Sequence, residues 1–184
     1  MTGPQTPRRP ALDSVELRAP RLAAVAVRLI LRMPASFRRR VLADAFDRAQ
    51  DAFNRGDLDA VFALFTDDVE YLPPPALYAG EPIIGRAAVL RFWQEILARF
   101  EENTIANLSL EEASPARFVR TARLTHKRRD GTLDYVIRQT TELRAGRVAH
   151  QVNEDAGSGG HARCVGRRSA EGDGGARRRR ANRA

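Results

Sequence analysis

The order of residue patterns along the chain predicts an α+β fold. Apolar residues recur at helical spacing over residues 44–65 and again over 85–100. Residues 104–153 instead alternate, and two turn signals, Asp130-Gly131 and Ala145-Gly146, divide them into segments typical of antiparallel hairpins. Helices followed by antiparallel strands indicate helices packed on one face of a sheet, which is the α+β class.

An amphipathic helix is predicted over residues 21–33, where apolar residues are interspersed with Arg21, Arg28 and Arg32. Two interpretations stay open at this point. The helix could pack on the domain or on a partner subunit, which we favour, or it could lie on an anionic membrane surface. Pro34 separates it from the next helix because proline disrupts a helix interior.

The next two helices have recognisable ends. The longer one is predicted over residues 36–54, with Ser36 as its cap. Gly56 can adopt the left-handed conformation common after a helix C-terminus. Asp57 then caps a short helix, and a strand is predicted from Val69 to Leu72.

Charge divides the chain into three parts. The formal net charge is +8, yet residues 1–40 alone carry +7, residues 156–184 carry +6, and residues 41–155 carry −5. We therefore predict a basic N-terminal extension (1–35), one folded domain (36–155), and a disordered tail rich in arginine and glycine. A basic face on the domain is not indicated, so nucleic acid could bind only weakly, through the arginine-rich termini.

The remaining composition narrows the classes of function. Cys164 is the only cysteine, so no disulfide forms within the chain, and a cytoplasmic location is expected. No apolar run approaches the roughly 20 residues of a membrane span. Histidine and cysteine show no metal-ligand spacing, and no glycine-rich phosphate loop follows a strand. We expect no metal and no cofactor.

The stretch AFNRGDLDAVFALFTDDVEYLPPP, followed by GRAAVLRFWQEIL, resembles the opening of a SnoaL-like domain. That family belongs to the nuclear transport factor 2-like superfamily, which includes polyketide cyclases and limonene epoxide hydrolase. The resemblance covers residues 41–155. It implies a cone-shaped α+β barrel of cystatin-like type, with N-terminal helices packed on a curved antiparallel sheet around a cavity. The fold hosts several reactions and also proteins without catalysis, so the site must decide the function.

Three residues are predicted as the catalytic group: Tyr71, Arg123 and Asn153. Alternation places Tyr71 on the inner face of its strand. The limonene epoxide hydrolase branch has a tyrosine and an arginine that resemble Tyr71 and Arg123. Thr125 and Asn153 stand where that branch has its two aspartates. Epoxide hydrolysis of that kind needs a carboxylate base, so we do not expect it here.

Three further residues are predicted to bind ligand: Tyr78 in a loop over the cavity mouth, Trp93 in its wall, and Gln139 as a polar group. Whether Arg123 points inward depends on which alternate positions of its strand face the cavity, and neither face of the strand is purely apolar. The opposite parity would bring Arg120 and His126 into the pocket. With the parity chosen, His126 and His150 are expected at the surface or an interface.

The sequence therefore favours a pocket for a small hydrophobic or weakly acidic ligand, such as a polyketide-like substrate of an isomerase, cyclase or hydrolase. The alternative is a non-catalytic dimerisation or protein-interaction module of the same fold. In either case a homodimer formed through the sheet is expected.

Overall fold

A computed structural model describes residues 20–156 of the chain. Residues 1–19 of the predicted N-terminal extension, and the predicted C-terminal tail except residue 156, lie outside these residues. The described helices are α1 (Pro20–Ile30), α2 (Ala35–Asn54), α3 (Leu58–Val61) and α4 (Arg86–Leu97). The predicted helix order is confirmed, and Pro34 lies in the break between α1 and α2.

Six strands form one sheet and confirm the α+β class. They are β1 (Phe65–Leu72), β2 (Ile83–Ile84), β3 (Glu102–Ser114), β4 (Arg117–Arg128), β5 (Gly131–Arg144) and β6 (Arg147–Asp155). Their order across the sheet is β2-β1-β6-β5-β4-β3. The sheet curves around the helices without closing, because β2 and β3 remain its two edges.

The pairing differs from the predicted antiparallel sheet in one place: β1 runs parallel to β6. Parallel neighbours need a long crossover, and α4 with β3, β4 and β5 supplies it. β1 also begins at Phe65, earlier than the predicted Val69. The short helix α3 ends at Val61, and the chain is extended again four residues later.

The helix ends show which local signals were informative. Asp57 caps α3, since its Oδ1 accepts a hydrogen bond from the Ala60 amide at 3.1 Å. Gly56 has φ +76°, the left-handed conformation expected after α2. The predicted Ser36 cap is wrong. The helix begins at Ala35 with Pro34 at its cap position, so Ser36 already lies inside the first turn.

Helix α1 packs against the turn between β5 and β6. Ala24 is buried there, and Gly146, with φ +80°, approaches it so closely that a Cβ on Gly146 would meet the Ala24 carbonyl oxygen. The opposite side of α1 exposes Leu22, Val25 and Leu29. Helix α1 therefore contacts the domain and still presents an apolar outer face. No helix in residues 20–156 is long and apolar enough to cross a membrane.

Candidate ligand-binding cavity

A cavity of about 190 Å³ lies between the helices and the concave face of the sheet. Its walls are mainly apolar, with side chains from α2, α3 and the inner positions of β4, β5 and β6. Phe46 and Phe53 of α2 and Phe118 of β4 are among them. For scale, an engineered apolar cavity of about 150 Å³ holds one benzene molecule. The space therefore suits a compact ring-sized ligand.

Five polar side chains of the lining lie on neighbouring elements, and we call them the polar wall: Tyr71, Trp93, Arg120, Gln139 and Asn153. Tyr71 stands on β1, and Trp93 on α4 donates from its indole nitrogen to the Tyr71 hydroxyl oxygen at 2.9 Å. This bond uses the oxygen as an acceptor. The Tyr71 proton is left available for another acceptor.

The Tyr71 hydroxyl stays protonated. Burial raises the pKa of Tyr71 above its ordinary value, against the opposing effects of the Trp93 hydrogen bond, the Arg120 charge and the Asn153 side chain. A buried neutral phenol is a hydrogen-bond donor. Tyr71 therefore supplies a donor and not a base.

Asn153 and Gln139 form a pair on adjacent strands. They are cross-strand neighbours, and Gln139 Nε2 donates to Asn153 Oδ1 at 2.7 Å. Asn153 Nδ2 in turn donates to the Leu72 carbonyl oxygen on β1, also at 2.7 Å. These bonds hold the two amides in place beside Tyr71.

Arg120 brings the positive charge to the polar wall. It is half-buried on β4, opposite Gln139. Its Nη1 donates to Asn107 Oδ1 at 3.0 Å, and its guanidinium carbon lies 5.5 Å from the centre of the Phe46 ring. Its Nε is enclosed and lacks a hydrogen-bond partner among the described residues. Burial lowers the pKa of Arg120 to about 10, opposed by Tyr71, so the side chain remains charged at neutral pH.

The predicted position of Arg123 is wrong. Its side chain is exposed on the outer face of β4 and does not line the cavity. Successive side chains of a strand point to opposite faces, and the apolar neighbours Phe118, Ala122 and Leu124 are the buried set. Arg120, which shares their parity, is the arginine of the cavity.

Tyr71, Trp93, Gln139 and Asn153 all line the cavity, which brings four of the six predicted site residues together. Tyr78 is not among the lining residues. Its ring packs edge-on against Phe92 with 5.7 Å between ring centres. The role predicted for each of the four stays a prediction, because position alone does not establish it.

The two domain histidines occupy different surroundings. His150 is half-buried on the side of β6 away from the cavity, with Nε2 4.0 Å from Glu70 Oε1. The predicted surface position of His126 is wrong, since this side chain is completely buried. It does not line the cavity either.

His126 belongs to a second group of buried polar side chains, which we call the core cluster: Asn103, His126 and Tyr135. Asn103 Oδ1 lies 2.6 Å from His126 Nδ1, and the Tyr135 hydroxyl lies 3.0 Å from His126 Nε2. A neutral imidazole with its proton on Nδ1 satisfies both contacts, because Nδ1 donates to Asn103 and Nε2 accepts from Tyr135. Burial, and then the charge of Arg128, lower the pKa of His126 to about 4.

Arg120 was recognisable in the sequence by counting apolar residues on each strand face. Its face carries Phe118, Ala122 and Leu124, whereas the face of Arg123 carries one apolar residue, Val119. Gln151 and Thr141 also line the cavity. The sequence did not identify these two as cavity residues, because a polar residue at an inner position cannot be told from one at an outer position until the strand pairing is known.

A family model for the SnoaL-like domain matches residues 46–151. The match covers more than half of the chain, so the protein belongs to the SnoaL-like domain family. Comparison with curated proteins finds no match.

Solved structures share the fold at low sequence identity. TerC, co-crystallised with polyporic acid, has a TM-score of 0.52 and 16% identity over 60% of this chain and 88% of TerC. An LEH-like epoxide hydrolase of Mycobacterium tuberculosis has a TM-score of 0.50 and 15% identity over 61% of this chain and 80% of its own. IdmH, a proposed polyketide cyclase from Streptomyces antibioticus, has a TM-score of 0.50 and 20% identity over 60% and 88%. These likenesses show the fold alone.

Proposed function

We propose that the domain binds a compact, largely apolar small molecule in the cavity, of polyketide-like or similar hydrophobic type. The observation that carries this proposal is a mainly apolar cavity lining that includes the five side chains of the polar wall. Ligand pockets commonly combine apolar surface, which provides affinity, with a few fixed polar groups, which orient the ligand.

Three neighbours support this class of ligand and a reaction of cyclase, isomerase or hydrolase type. TerC was crystallised with polyporic acid, IdmH is a proposed polyketide cyclase, and the mycobacterial protein is an LEH-like epoxide hydrolase. Their shared fold supports the proposal that such a ligand binds in the cavity of this chain.

The polar wall is suited to stabilising negative charge on an oxygen atom of a bound ligand. Tyr71 and Arg120 both line the cavity and carry hydrogen-bond donors, and they lie near enough for the Arg120 charge to act on Tyr71. Donors fixed in a water-poor site stabilise negative charge that develops on a ligand oxygen. The proposed role is thus to bind and polarise a ligand through its oxygen, with Gln139 and Asn153 fixing its orientation.

Trp93 makes binding directly measurable. It is the only tryptophan of the chain and lines the cavity, so a ligand beside it should change the fluorescence. We expect neutral benzamide to shift or quench this emission in a saturable way and to raise the melting temperature.

A pair of methionine variants locates the binding. Ala49→Met adds volume inside the cavity, whereas Ala87→Met adds the same volume on the exposed side of α4. The first should weaken benzamide binding at least tenfold, and the second should leave it unchanged. Equal binding by both variants, or no response of the native protein, would contradict the proposal.

We also propose a homodimer formed through the outer face of the sheet, which keeps the interaction-module alternative open. Val119 and Val136 point to this face from β4 and β5 and are only half-buried. Partly exposed valines on a sheet face suit burial against a second copy.

Light scattering tests the dimer and should give twice the chain mass. Val136→Asp should reduce this mass, and Ala87→Asp should not. A monomeric native protein at micromolar concentration would refute the dimer.

A further inference from the structure

We infer that the cavity takes its ligand as an anion, with the acidic oxygen of a carboxylate or an ionised enol held by Arg120 and Tyr71. This inference rests on the proposed function and deepens it by naming the chemical class of the ligand. The reasoning starts from the guanidinium of Arg120, whose surroundings within the described residues are short of negative charge.

The hydrogen bonding of Arg120 is incomplete. A guanidinium has five N–H donors, and the partner found for Arg120 is the neutral oxygen of Asn107, reached from Nη1 at 3.0 Å. Nε is enclosed and has no hydrogen-bond partner within residues 20–156. A buried donor that lacks an acceptor is costly, so the site is organised for an acceptor that arrives from outside.

Carboxylates are absent from the described cavity lining, which contains Arg48 and Arg120 as its charged residues. The acidic residue connected to Arg120 is Asp47, and Asn107 lies between them. Asn107 accepts from Arg120, and its Nδ2 donates to Asp47 Oδ1 at 3.1 Å. Asp47 is exposed, and its charge is therefore screened by solvent. Arg120 has no direct counter-ion among residues 20–156.

Tyr71 completes the site as a second donor. Its oxygen accepts from Trp93 at 2.9 Å and lies beside the Asn153 side chain, so the neutral phenol can donate to a ligand oxygen in the cavity. Hydrogen bonds from a charged donor to an anionic oxygen are about twice as strong as neutral ones. A cation and a neutral phenol beside apolar walls fit a ring-sized molecule with one acidic oxygen.

The test compares charged and neutral probes of equal shape by isothermal titration calorimetry at pH 7. Benzoate and benzamide form the first pair, and cyclohexane-1,3-dione, whose enol ionises readily, is compared with cyclohexanone in the second. We expect benzoate, or the dione, to bind at least tenfold more tightly than its neutral counterpart. The arm with the larger ratio shows whether carboxylate or enolate is preferred.

Arg120→Met removes the charge and keeps an apolar side chain of similar length. Losing one charge-assisted hydrogen bond should weaken benzoate binding about tenfold to hundredfold. The loss for benzamide should be much smaller, since its neutral oxygen forms a weaker hydrogen bond, and Arg120→Lys should partly restore benzoate binding. Arg123→Met is the matched control, since it removes an exposed guanidinium from the other face of the same strand. It should change neither probe.

Asn153→Asp provides a second test of the anion site in case Arg120→Met does not fold. This substitution places a carboxylate on the polar wall, where its negative charge repels an anionic ligand, so benzoate binding should fall at least tenfold while benzamide still binds. Equal affinity for charged and neutral probes in the native protein, or an unchanged ratio in these variants, would overturn the anion site and leave the cavity proposal standing. If neither probe of either pair binds, the cavity proposal fails and this inference fails with it.

Discussion

The domain contains two groups of buried polar side chains, and they differ in where their hydrogen bonds go. In the core cluster, Asn103 and Tyr135 meet both ring nitrogens of His126, so the imidazole is fully paired. In the polar wall, the Nε of Arg120 has no hydrogen-bond partner among the described residues, whereas the Tyr71 hydroxyl interacts with Trp93 and Asn153. The first group is complete without a ligand, and the second is not.

This difference separates a structural role from a binding role better than burial or a shifted pKa does. Both groups bury a tyrosine, and burial raises the pKa of Tyr135 as it does that of Tyr71. Both also contain a basic side chain whose pKa burial lowers. What distinguishes them is the cavity, which adjoins Tyr71 and Arg120 but neither His126 nor Tyr135.

The largest expected effect is a loss of stability at low pH, which we assign to His126 of the core cluster. Desolvation of His126, with a contribution from Arg128, lowers its pKa from 6.5 in the unfolded chain to about 4 in the fold. Between these values the unfolded state binds more protons, so stability is full above pH 6.5 and is lost as pH falls toward 4. The total loss should be roughly 3 kcal/mol, measured by urea unfolding from pH 7 to pH 4.5.

The groups that face His126 are Asn103 from β3, Tyr135 from β5 and the ring of Phe100, 4.8 Å away between ring centres. None of them titrates between pH 4.5 and 7. His126→Gln should therefore flatten the pH dependence over this interval, whatever its own stability. His150→Gln, on the outer side of β6, should keep the native slope, and an unchanged slope in His126→Gln would refute the assignment.

The fold was largely predictable because its signals are local. Helical periodicity, Gly56 after α2, the Asp57 cap and the turn at Asp130-Gly131 each act within a few residues. The same patterns missed the parallel pairing of β1 with β6. That pairing depends on a crossover of some 75 residues between the two strands, which no short window of sequence contains.

The candidate site was predictable only in part, because it depends on strand parity. Tyr71 alternates with the polar Glu70 and lines the cavity as predicted. Asn153 also lines the cavity, although alternation on β6 does not decide which way it points. On β4, however, both faces mix apolar and polar residues, and a shift of one position exchanges Arg123 for Arg120. His126 shows the same limit. A histidine among charged neighbours in sequence looks exposed until its partners on β3 and β5 are known.

A smaller and more specific effect comes from removing one hydroxyl from each group. Tyr135→Phe leaves Nε2 of His126 buried without a donor, which should cost about 1–3 kcal/mol in the free energy of unfolding. Tyr71→Phe leaves the Trp93 indole N–H beside a cavity of about 190 Å³, where water can replace the lost oxygen. Its stability cost should be below about 1 kcal/mol, but benzoate affinity should fall about fivefold to tenfold.

The two tyrosine variants thus give opposite results in two measurements, urea unfolding and calorimetric titration. Tyr135→Phe should lose more stability and keep the native benzoate affinity. Tyr71→Phe should lose less stability and bind benzoate more weakly. Each variant serves as the control for the other, since both remove one hydroxyl from a buried tyrosine of the same sheet. If Tyr71→Phe lost as much stability as Tyr135→Phe and bound benzoate normally, the Tyr71 hydroxyl would be a structural group, and the distinction between polar wall and core cluster would not hold.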